Sequence, residues 1–383
     1  MMIAGLALWL CSAAGAAPPR EPAAATGPAA PAHTPANAHP GQAATLTADV
    51  LAGAAARFSE GAEPGVAFVL ERAELGGSFR ALPWFEAALR LEAIRSAGAQ
   101  SAFGIDGNSL LPRFTYAWGG LAPSFSLFGV PVTSTLRAGL VPEPWSERLE
   151  PFLSTRALGP QSAEEAALLD ASDLGANAGL TLLDGLIAVD LSVRNGEGKH
   201  EIELNLDKDV AAVLSSTAAV SLMDEQLMVT TQVMARHGTR GVTSAPEERA
   251  ALGAGVAHPG FHAVGEIVWA RGDEGDVDRD RVLVAAVGDV TFLARWLGAV
   301  ARGSLDLTEV KLPQTTSYGA SIALFSDLGH DGKGTLPRMR ALGGVAGTWA
   351  EPHAALAGIP AANTELRVFL LLEATARAEA LAP

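Results

Sequence analysis

The side chains that could do chemistry lie in small, separate groups along the chain. His258 and His262 enclose a Pro-Gly turn and could share a metal ion, but the sequence offers no third ligand beside them. The segment 273–280, DEGDVDRD, is acidic like a calcium-binding loop, yet it lacks the central glycine and the closing glutamate of such a loop. The sequence therefore predicts exposed histidines at a turn, an acidic surface loop, and neither a metal nor another cofactor.

Glu86 and Glu92 could form a catalytic carboxylate pair, because alternation along a strand puts both on one face. Arg90 lies between them on that face, so the spacing favours a ladder of ion pairs. The glycines of segment 195–198, NGEG, could hold an anion, but a hairpin turn accounts for them fully. The sequence contains no nucleophile elbow, phosphate-binding loop or dinucleotide fingerprint. We predict no catalytic residue and no enzyme.

Charge and cysteine usage narrow the class of protein further. The formal net charge of −15 argues against a nucleic-acid partner. Residues 1–17 read as a secretory signal, in which an apolar run is followed by small residues. The only cysteine, Cys11, lies inside this signal, and the bulky Trp9 and Leu10 before it disfavour a lipid-attachment site. The mature chain would then have no disulfide, thiol nucleophile or cysteine-bound metal. Residues 18–60 are predicted to be a Pro- and Ala-rich linker, with a possible short amphipathic helix at 45–58.

The elements that must position the charged residues are short alternating segments. In LIAVDLSVRNGEGKHEIELNLD (186–207), apolar residues alternate with polar ones on both sides of a glycine turn, which predicts a β-hairpin. Its first strand separates two faces, one with Ile187, Val189, Leu191 and Val193, the other with Asp190, Ser192 and Arg194. The apolar face meets a core in a soluble sheet, but it meets lipid in a membrane barrel. One hairpin leaves both possibilities open.

The same alternation recurs along the chain. It predicts further strands at 64–73, 84–95, 111–118, 132–140, 176–182, 211–220, 227–236, 251–257, 262–270, 281–288, 291–300, 318–325, 338–350 and 365–373. Tight turns are predicted at 182–185 and 287–290. Long polar loops are predicted at 99–110, 141–172, 239–250, 271–281 and 326–337, with a possible loop helix at 163–172.

The number of strands decides between the two kinds of sheet. A soluble sandwich has far fewer strands. Charged residues make up 18% of the chain, against about 25% in soluble domains, and the mean hydropathy is +0.22. The sequence therefore predicts an all-β fold in which residues 61–383 form a transmembrane antiparallel up-and-down β-barrel of about 16 strands, or alternatively 12–14.

Three segments carry a family resemblance. LERAELGGSFRALPWFEAALRLEA (70–93) resembles an arginine-bearing strand, glycine turn and returning strand of the phosphate-selective porin (O and P type) family of Gram-negative outer membranes. STLRAGLVPEPWSERLE (134–150) resembles the strand of that family that enters a proline-bearing loop, with Arg137 and Gly139 in place. SDLGANAGLTLLDGLIAVDLSVRNGEG (172–198) resembles its strand, short turn and N-G-x-G run. Together they cover about residues 64–220 in the family's order.

The sequence departs from this family in two ways. The only lysines, Lys199, Lys208, Lys311 and Lys333, are predicted at turns or strand ends, so the resemblance does not extend to a lysine-lined, phosphate-selective pore. Members usually end on an aromatic residue of the last strand, whereas this chain continues through ATARAEALAP after Glu373.

The resemblance and the strand pattern together imply an outer-membrane porin, a passive diffusion channel for small hydrophilic or ionic solutes. Outer-membrane lipid would surround it, and family analogy implies a homotrimer. The face assignment predicts a pore wall formed by Glu86, Arg90, Glu92, Arg137, Asp190, Arg194, Arg236, Arg295, Glu365, Arg367 and Glu373. Two alternatives stay open: a secreted or periplasmic β-sheet protein with a binding or structural role, and a plugged barrel.

Overall fold

The structure is a computed structural model that describes residues 43–59, 63–96, 109–153, 162–166, 168–196, 208–222, 225–240, 245–272, 280–292, 297–309, 315–329, 338–352 and 363–381. Almost all of these residues are in β-strands. The two α-helices of the described ranges are short, α1 (Pro144–Leu149) and α2 (Ser162–Glu165), and single turns of 3-10 helix occur at Glu150–Phe152 and Leu183–Gly185. No helix among the described residues is long and apolar enough to span a membrane.

The strands follow one another along the chain. They are β1 (Ala43–Ser59), β2 (Gly65–Leu82), β3 (Phe85–Ser96), β4 (Ser109–Leu121), β5 (Ser124–Leu127), β6 (Val130–Pro142), β7 (Ser172–Leu182), β8 (Ile187–Arg194), β9 (Asp209–Leu222), β10 (Glu225–Arg240), β11 (Ala245–His258), β12 (Phe261–Arg271), β13 (Asp280–Phe292), β14 (Leu297–Glu309), β15 (Thr315–Gly329), β16 (Arg338–Pro352) and β17 (Asn363–Leu381).

All strand pairs are antiparallel, and the sheet closes because β1 pairs with β17 from Ala43↔Leu381 to Ser59↔Glu365. Strands β4 and β5 pair with successive parts of β6, so they occupy one position in the wall. The barrel therefore has 16 strand positions, which confirms the predicted fold class. Closure pairs β1 with β17, so the sheet formed by the described strands has no unpaired edge strand.

The two faces of the wall have the polarity of a barrel in lipid. On β17, Leu366, Val368, Leu370 and Leu372 are exposed on the outside, while Phe369, Leu371 and Glu373 are buried on the inside. On β8, Leu191 and Val193 are exposed and Asp190, Ser192 and Arg194 are buried. Side chains alternate across a strand, so this separation continues around the barrel. The predicted faces of segment 187–194 are thus confirmed.

A bulge in β2 accounts for the adjacent charges Glu71 and Arg72, which break the alternation of polar and apolar residues in this segment. Leu51 pairs with Arg72 and Ala52 pairs with Leu70, so Glu71 is an extra residue. The extra residue lets adjacent charges both point inward: Arg72 reaches Glu373, and Glu71 pairs with Arg367. A bulge changes the parity of a strand at one point, which keeps both charges out of the apolar outer surface.

Both ends of the barrel differ from the prediction. Residues 45–58 are not a helix but lie in β1, so the barrel begins at Ala43 rather than at residue 61. The many alanines of this segment are compatible with a helix or a strand. The segment forms a strand because it pairs with β2 on one edge and with β17 on the other. At the other end, β17 continues beyond Glu373 to Leu381, because β1 supplies partners for those residues. The predicted signal 1–17 and linker residues 18–42 lie outside the described residues.

Several predicted boundaries are also wrong. Segment 291–300 is not one strand, since β13 ends at Phe292 and pairs there with Leu297 of β14. The predicted turn at 287–290 lies within β13, and most of the predicted loop 239–250 belongs to β10 and β11. The predicted returning strand at 202–206 lies outside the described residues, and the strand that pairs with β8 begins at Asp209.

The connections differ in length at the two ends of the barrel. Strands β2 and β3 are joined by 83–84, β7 and β8 by 183–186, and β11 and β12 by 259–260. At the opposite end, 143–171 connects β6 to β7 and 195–208 connects β8 to β9. We call the described residues of the first connection, 143–153, 162–166 and 168–171, the inner loop. Its short helix α2 (Ser162–Glu165) falls near the helix predicted at 163–172.

Candidate functional site

The inner loop folds into the barrel from a closed neck. The backbone N–H of Glu143 donates to the carbonyl of Ala171 at 2.9 Å, which joins the first and last residues of the loop. Asn177 of β7 donates from Nδ2 to the carbonyl of Pro142 at 2.8 Å. Pro144 is the first residue of α1. A backbone N–H at this position would have no acceptor within the helix, so proline costs no hydrogen bond there. The chain therefore turns inward directly after β6.

One side of the loop is apolar and packs on the wall of β9–β13. Trp145, Leu149 and Phe152 are buried there, together with Met234 and Val268 of the wall. Glycines of β11 provide the space, since a Cβ added at Gly253 would lie 2.9 Å from Trp145 Cη2. A Cβ added at Gly255 would lie 2.7 Å from Cγ of Phe152. Only glycine allows so close an approach of ring and strand.

Two polar side chains of the same wall bind the loop. Gln232 of β10 donates from Nε2 to the carbonyl of Trp145 at 3.0 Å. Glu266 of β12 accepts from Nε1 of Trp145 at 3.3 Å and from the backbone N–H of Ala163 at 3.0 Å. The wall thus holds the loop at two separate segments, α1 and the start of α2.

The opposite side of α1 and of the 3-10 turn that follows it is charged and binds the wall of β3, β6 and β8. Glu147 pairs with Arg137 at 2.7 Å, Arg148 donates to Asp190 at 3.0 and 3.1 Å, and Glu150 lies 3.9 Å from Arg90. Because its two sides bind different walls, α1 crosses the interior of the barrel. The loop consequently reduces the bore on the side of β3–β13.

A buried ionic cluster lies at the base of the loop. Arg194 of β8 lies 2.6 Å from Glu143, and Arg236 of β10 lies 3.9 Å from the same carboxylate. Arg236 also donates from Nε to Asp209 at 2.6 Å. All four side chains are almost wholly excluded from solvent. Buried charges of this kind require partners, so the cluster links the loop to three strands.

A second set of charges lies on the inner wall of β1, β2 and β15–β17. Arg72 pairs with Asp49 at 2.7 Å and with Glu373 at 2.9 Å, while Arg340 pairs with Asp327 at 2.9 Å. The guanidinium of Arg340 also lies 4.1 Å from the ring centroid of Phe325. Phe325 belongs to a buried apolar cluster on this wall with Leu51, Val300, Leu342, Phe369 and Leu371. This wall is therefore lined by paired charges and apolar rings.

The structure places those predicted site residues that it describes on the inside of the barrel but divides them into groups. Glu86 lies 3.2 Å from Arg137, Arg90 is 3.7 Å from Glu74, and Glu92 is 2.6 Å from Arg113. Each of the three thus forms an ion pair with a residue of another strand. Residues bound to the inner loop or its base are Arg90, Arg137, Asp190, Arg194 and Arg236. Those on the β17 wall are Glu365, Arg367 and Glu373. Arg295 lies outside the described residues.

Sequence reasoning missed several residues of the interior. The sequence pattern does not identify Glu143, Trp145 and Glu266 as interior residues, because a contact between a loop and a distant strand produces no local periodicity. Arg72 and Arg340 lay in segments that were predicted as strands but were not assigned to the inner face. The adjacent charges at 71 and 72 were a usable signal, since they break the alternation where the bulge occurs.

The histidines lie at the short-turn end and are more buried than predicted. His258 pairs with Glu225, accepts from the backbone N–H of Gly260 at 3.1 Å and stacks on Phe261. His262 lies 3.3 Å from Asp289. Within the described ranges, no group of three or more His, Cys, Asp or Glu residues is arranged to hold a metal ion. These histidines serve the packing of the turn.

Known proteins resemble this chain in structure. No protein-family model matches the sequence, and no curated protein matches it. An anion-selective porin from Comamonas acidovorans is similar, with a TM-score of 0.55 and 13% identity over 87% of this chain and 99% of that one. The outer membrane channel DcaP of Acinetobacter baumannii has a TM-score of 0.54 and 10% identity over 88% and 97%. OmpT of Vibrio cholerae, in its trimer form, has a TM-score of 0.51 and 10% identity over 88% and 100%. At such low identity the likeness establishes the fold, that of an outer-membrane barrel.

Proposed function

We propose that the protein is a passive diffusion channel of the Gram-negative outer membrane, with no enzymatic activity. One observation carries the proposal: a closed barrel presents apolar side chains outward and ionised ones inward, with a loop folded into its bore. Such a wall satisfies its backbone hydrogen bonds in lipid and keeps its charges away from the hydrocarbon. The similar solved barrels, two of which are described as a porin and a channel, support this function.

The solute path that we propose is off-centre. The described inner loop binds β3, β6, β8, β10 and β12, which directs passage toward the wall of β1, β2 and β15–β17. Arg72, Asp49 and Glu373 would then set the field along the path. Glu365 and Arg367 would line the same side. Asp190, Arg194 and Arg236 would act indirectly, by holding the inner loop.

Ion selectivity of this path is expected to be weak. Arg72, Arg137 and Arg340 each lie beside a carboxylate, so the wall carries paired rather than single-sign charge. We retain the resemblance to the phosphate-selective porin family as part of the proposal but not its selectivity for phosphate. A phosphate site needs unpaired cations or free N–H groups, as in an arginine cluster. Small hydrophilic or ionic solutes are the substrate class that fits.

Two further parts of the proposal concern processing and assembly. We propose that residues 1–17 are removed on export, which N-terminal sequencing of membrane-extracted protein would test; an intact Met1 contradicts it. We also propose a homotrimer, in line with the trimer form described for OmpT of Vibrio cholerae. Native mass spectrometry in detergent would reveal a monomer if this is wrong.

The decisive experiment is single-channel recording of the refolded protein in planar bilayers. Discrete, ohmic conductance steps are expected, with a reversal potential near zero across a salt gradient. Arg72→Gln should shift the reversal potential toward cations and Glu373→Gln toward anions, because each removes one partner of a pair on the proposed path. Glu248→Gln is the control, since Glu248 lies on the outer surface beside His237. Absence of conductance from a correctly folded barrel would favour the plugged or structural alternative.

A further inference from the structure

Glu266 binds the two arms of the inner loop at one point. Its Oε2 accepts from the indole Nε1 of Trp145 at 3.3 Å, and its Oε1 accepts from the backbone N–H of Ala163 at 3.0 Å. Trp145 lies on α1, directly after β6, whereas Ala163 lies on α2, on the return toward β7. Each carboxylate oxygen accepts one hydrogen bond, so a single side chain of β12 holds both segments of the loop against the wall.

The surroundings of this carboxylate are dry. Glu266 is 5% exposed, and Val264 and Val268 flank it on the inner face of β12. Trp145, Leu149 and Leu283 belong to the same buried apolar cluster. Arg302 of β14 and Glu164 of α2 act on it electrostatically. Hydrogen bonds to a charged acceptor strengthen where water is excluded, so these two bonds hold the loop better than pairs screened by solvent.

Other loop contacts differ in kind. Arg148–Asp190 and Arg90–Glu150 join partly exposed side chains of α1 and the following turn to the opposite wall. The Glu143–Arg194 pair holds only the neck. Among the bonds described here, those to Glu266 are the ones that hold α1 and α2 together against β12.

We propose that Glu266 is a positioning residue for the channel: a two-point latch that keeps the inner loop flat on the β9–β13 wall and the solute path open. Released from Glu266, the second arm swings into the path and interrupts the current. The part of this inference that concerns current rests on the proposed function. The part that concerns loop position does not, and it can be tested separately.

Loop position is measured by thiol reactivity. Ser146 on α1 is 7% exposed and faces the buried side of the loop, so Ser146→Cys places a protected thiol there. Cys11 is the only native cysteine and is changed to Ser in all variants. In this background Glu266→Gln keeps the shape but turns an amide N–H₂ toward a donor, and one of the two bonds is lost. We expect modification of the Ser146→Cys thiol by a charged methanethiosulfonate to accelerate about tenfold.

Two variants make the assay specific. Trp145→Phe removes the indole donor while keeping a ring against Gly253, and it should accelerate thiol modification less than Glu266→Gln does. If Glu266→Gln fails to refold, Trp145→Phe takes its place in the assay. Asp289→Asn is the matched control, because Asp289 is a buried carboxylate of the inner wall that binds His262. Unchanged reactivity in both Glu266→Gln and Trp145→Phe, or equal acceleration in Asp289→Asn, overturns the latch.

Single-channel recording tests the consequence for transport. Glu266→Gln should add brief closures, at least several-fold more frequent than in the parent, with unchanged conductance of the open level and unchanged refolding yield. A purely structural role of Glu266 would lower the yield without changing the closure rate. If the parent protein carries no current while the thiol assay shows acceleration, the proposed channel function fails and the latch stands. If the parent conducts and closures do not increase, the link from latch to current is wrong.

Discussion

The guanidinium of Arg194 lies 2.6 Å from the carboxylate of Glu143, and the two side chains are 1% and 0% exposed. Arg194 is on the wall at the end of β8, and Glu143 is the first residue of the inner loop. The pair therefore fixes where the chain leaves β6 and enters the bore. Because the pair is buried, substitution of either residue should destabilise the folded protein strongly, since the remaining charge would be buried without its partner.

Arg194→Met should lower the free energy of unfolding by about 3–5 kcal/mol, because Glu143 stays buried without its main partner. Urea unfolding of the protein in lipid vesicles measures this. Arg57→Met is the control: Arg57 is 60% exposed and 3.9 Å from Glu365, so the change should stay within about 1 kcal/mol. The double variant Arg194→Met, Glu143→Leu should recover part of the loss. Equal effects of the two single variants would show that the buried pair contributes little.

The two faces of β6 should respond oppositely to a cation. Leu136 is 51% exposed on the outer face, so Leu136→Arg places a charge in lipid at a cost of about 2–4 kcal/mol near the midplane. Thr135 points inward, and a Cβ at Gly179 would lie 2.5 Å from its Oγ1 and 2.6 Å from Oδ1 of Asp190. Thr135→Arg can therefore reach Asp190 and should fold normally. Refolding yield in vesicles distinguishes the variants, and the reverse result would invert the face assignment.

The sequence alone points to Val189 and Asp190 for that comparison, but the structure makes Asp190 unsuitable. Arg148 of the inner loop donates two hydrogen bonds to Asp190. Asp190→Arg would place two positive charges together and displace α1. A folding defect in this variant would therefore not show whether residue 190 faces the lumen or the lipid.

Gly253→Val should displace Trp145 from the wall. A Cβ at this position lies 2.9 Å from Cζ2 and Cη2 of the indole, so the two groups cannot both keep their places. Overpacking of this kind costs about 1–3 kcal/mol, and the tryptophan emission should shift to longer wavelength as the ring leaves its dry site. Gly303→Val is the control, since a Cβ at Gly303 meets nothing within 4 Å. An unchanged emission spectrum in Gly253→Val would contradict the described packing.

Deletion of Glu71 should be tolerated. Leu70 and Arg72 already pair with the consecutive residues Ala52 and Leu51, so removing the residue between them makes the ladder regular. The loss is the partly exposed ion pair between Glu71 and Arg367, worth about 0–1 kcal/mol. Deletion of Ala73 is the comparison, because it shifts the parity and sends a charged neighbour toward lipid at about 2–4 kcal/mol. Heat-modifiable migration on detergent gels reports folding of both, and failure of the Glu71 deletion alone would count against the bulge.

The sequence by itself determined the barrel and the polarity of its wall. Alternation has a period of two, and a strand shows that period whatever its partners are. The residues 187–194 and 365–373 therefore revealed their faces without a structure. The adjacent charges at Glu71 and Arg72 marked a break in parity, although only the pairing with β1 identifies it as a bulge.

The tertiary structure decided what the interior contains. The alanine-rich segment 45–58 has weak local preference, so its pairing with both neighbours made it a strand. The inner loop carries no periodic pattern, and its position depends on contacts such as Trp145 with Glu266 and Glu143 with Arg194, which join residues far apart in the chain. Contacts of this kind form only when the closed wall brings β8, β11 and β12 around one bore. Local pattern therefore fixes which way each strand faces, while closure of the sheet fixes what the inward faces meet.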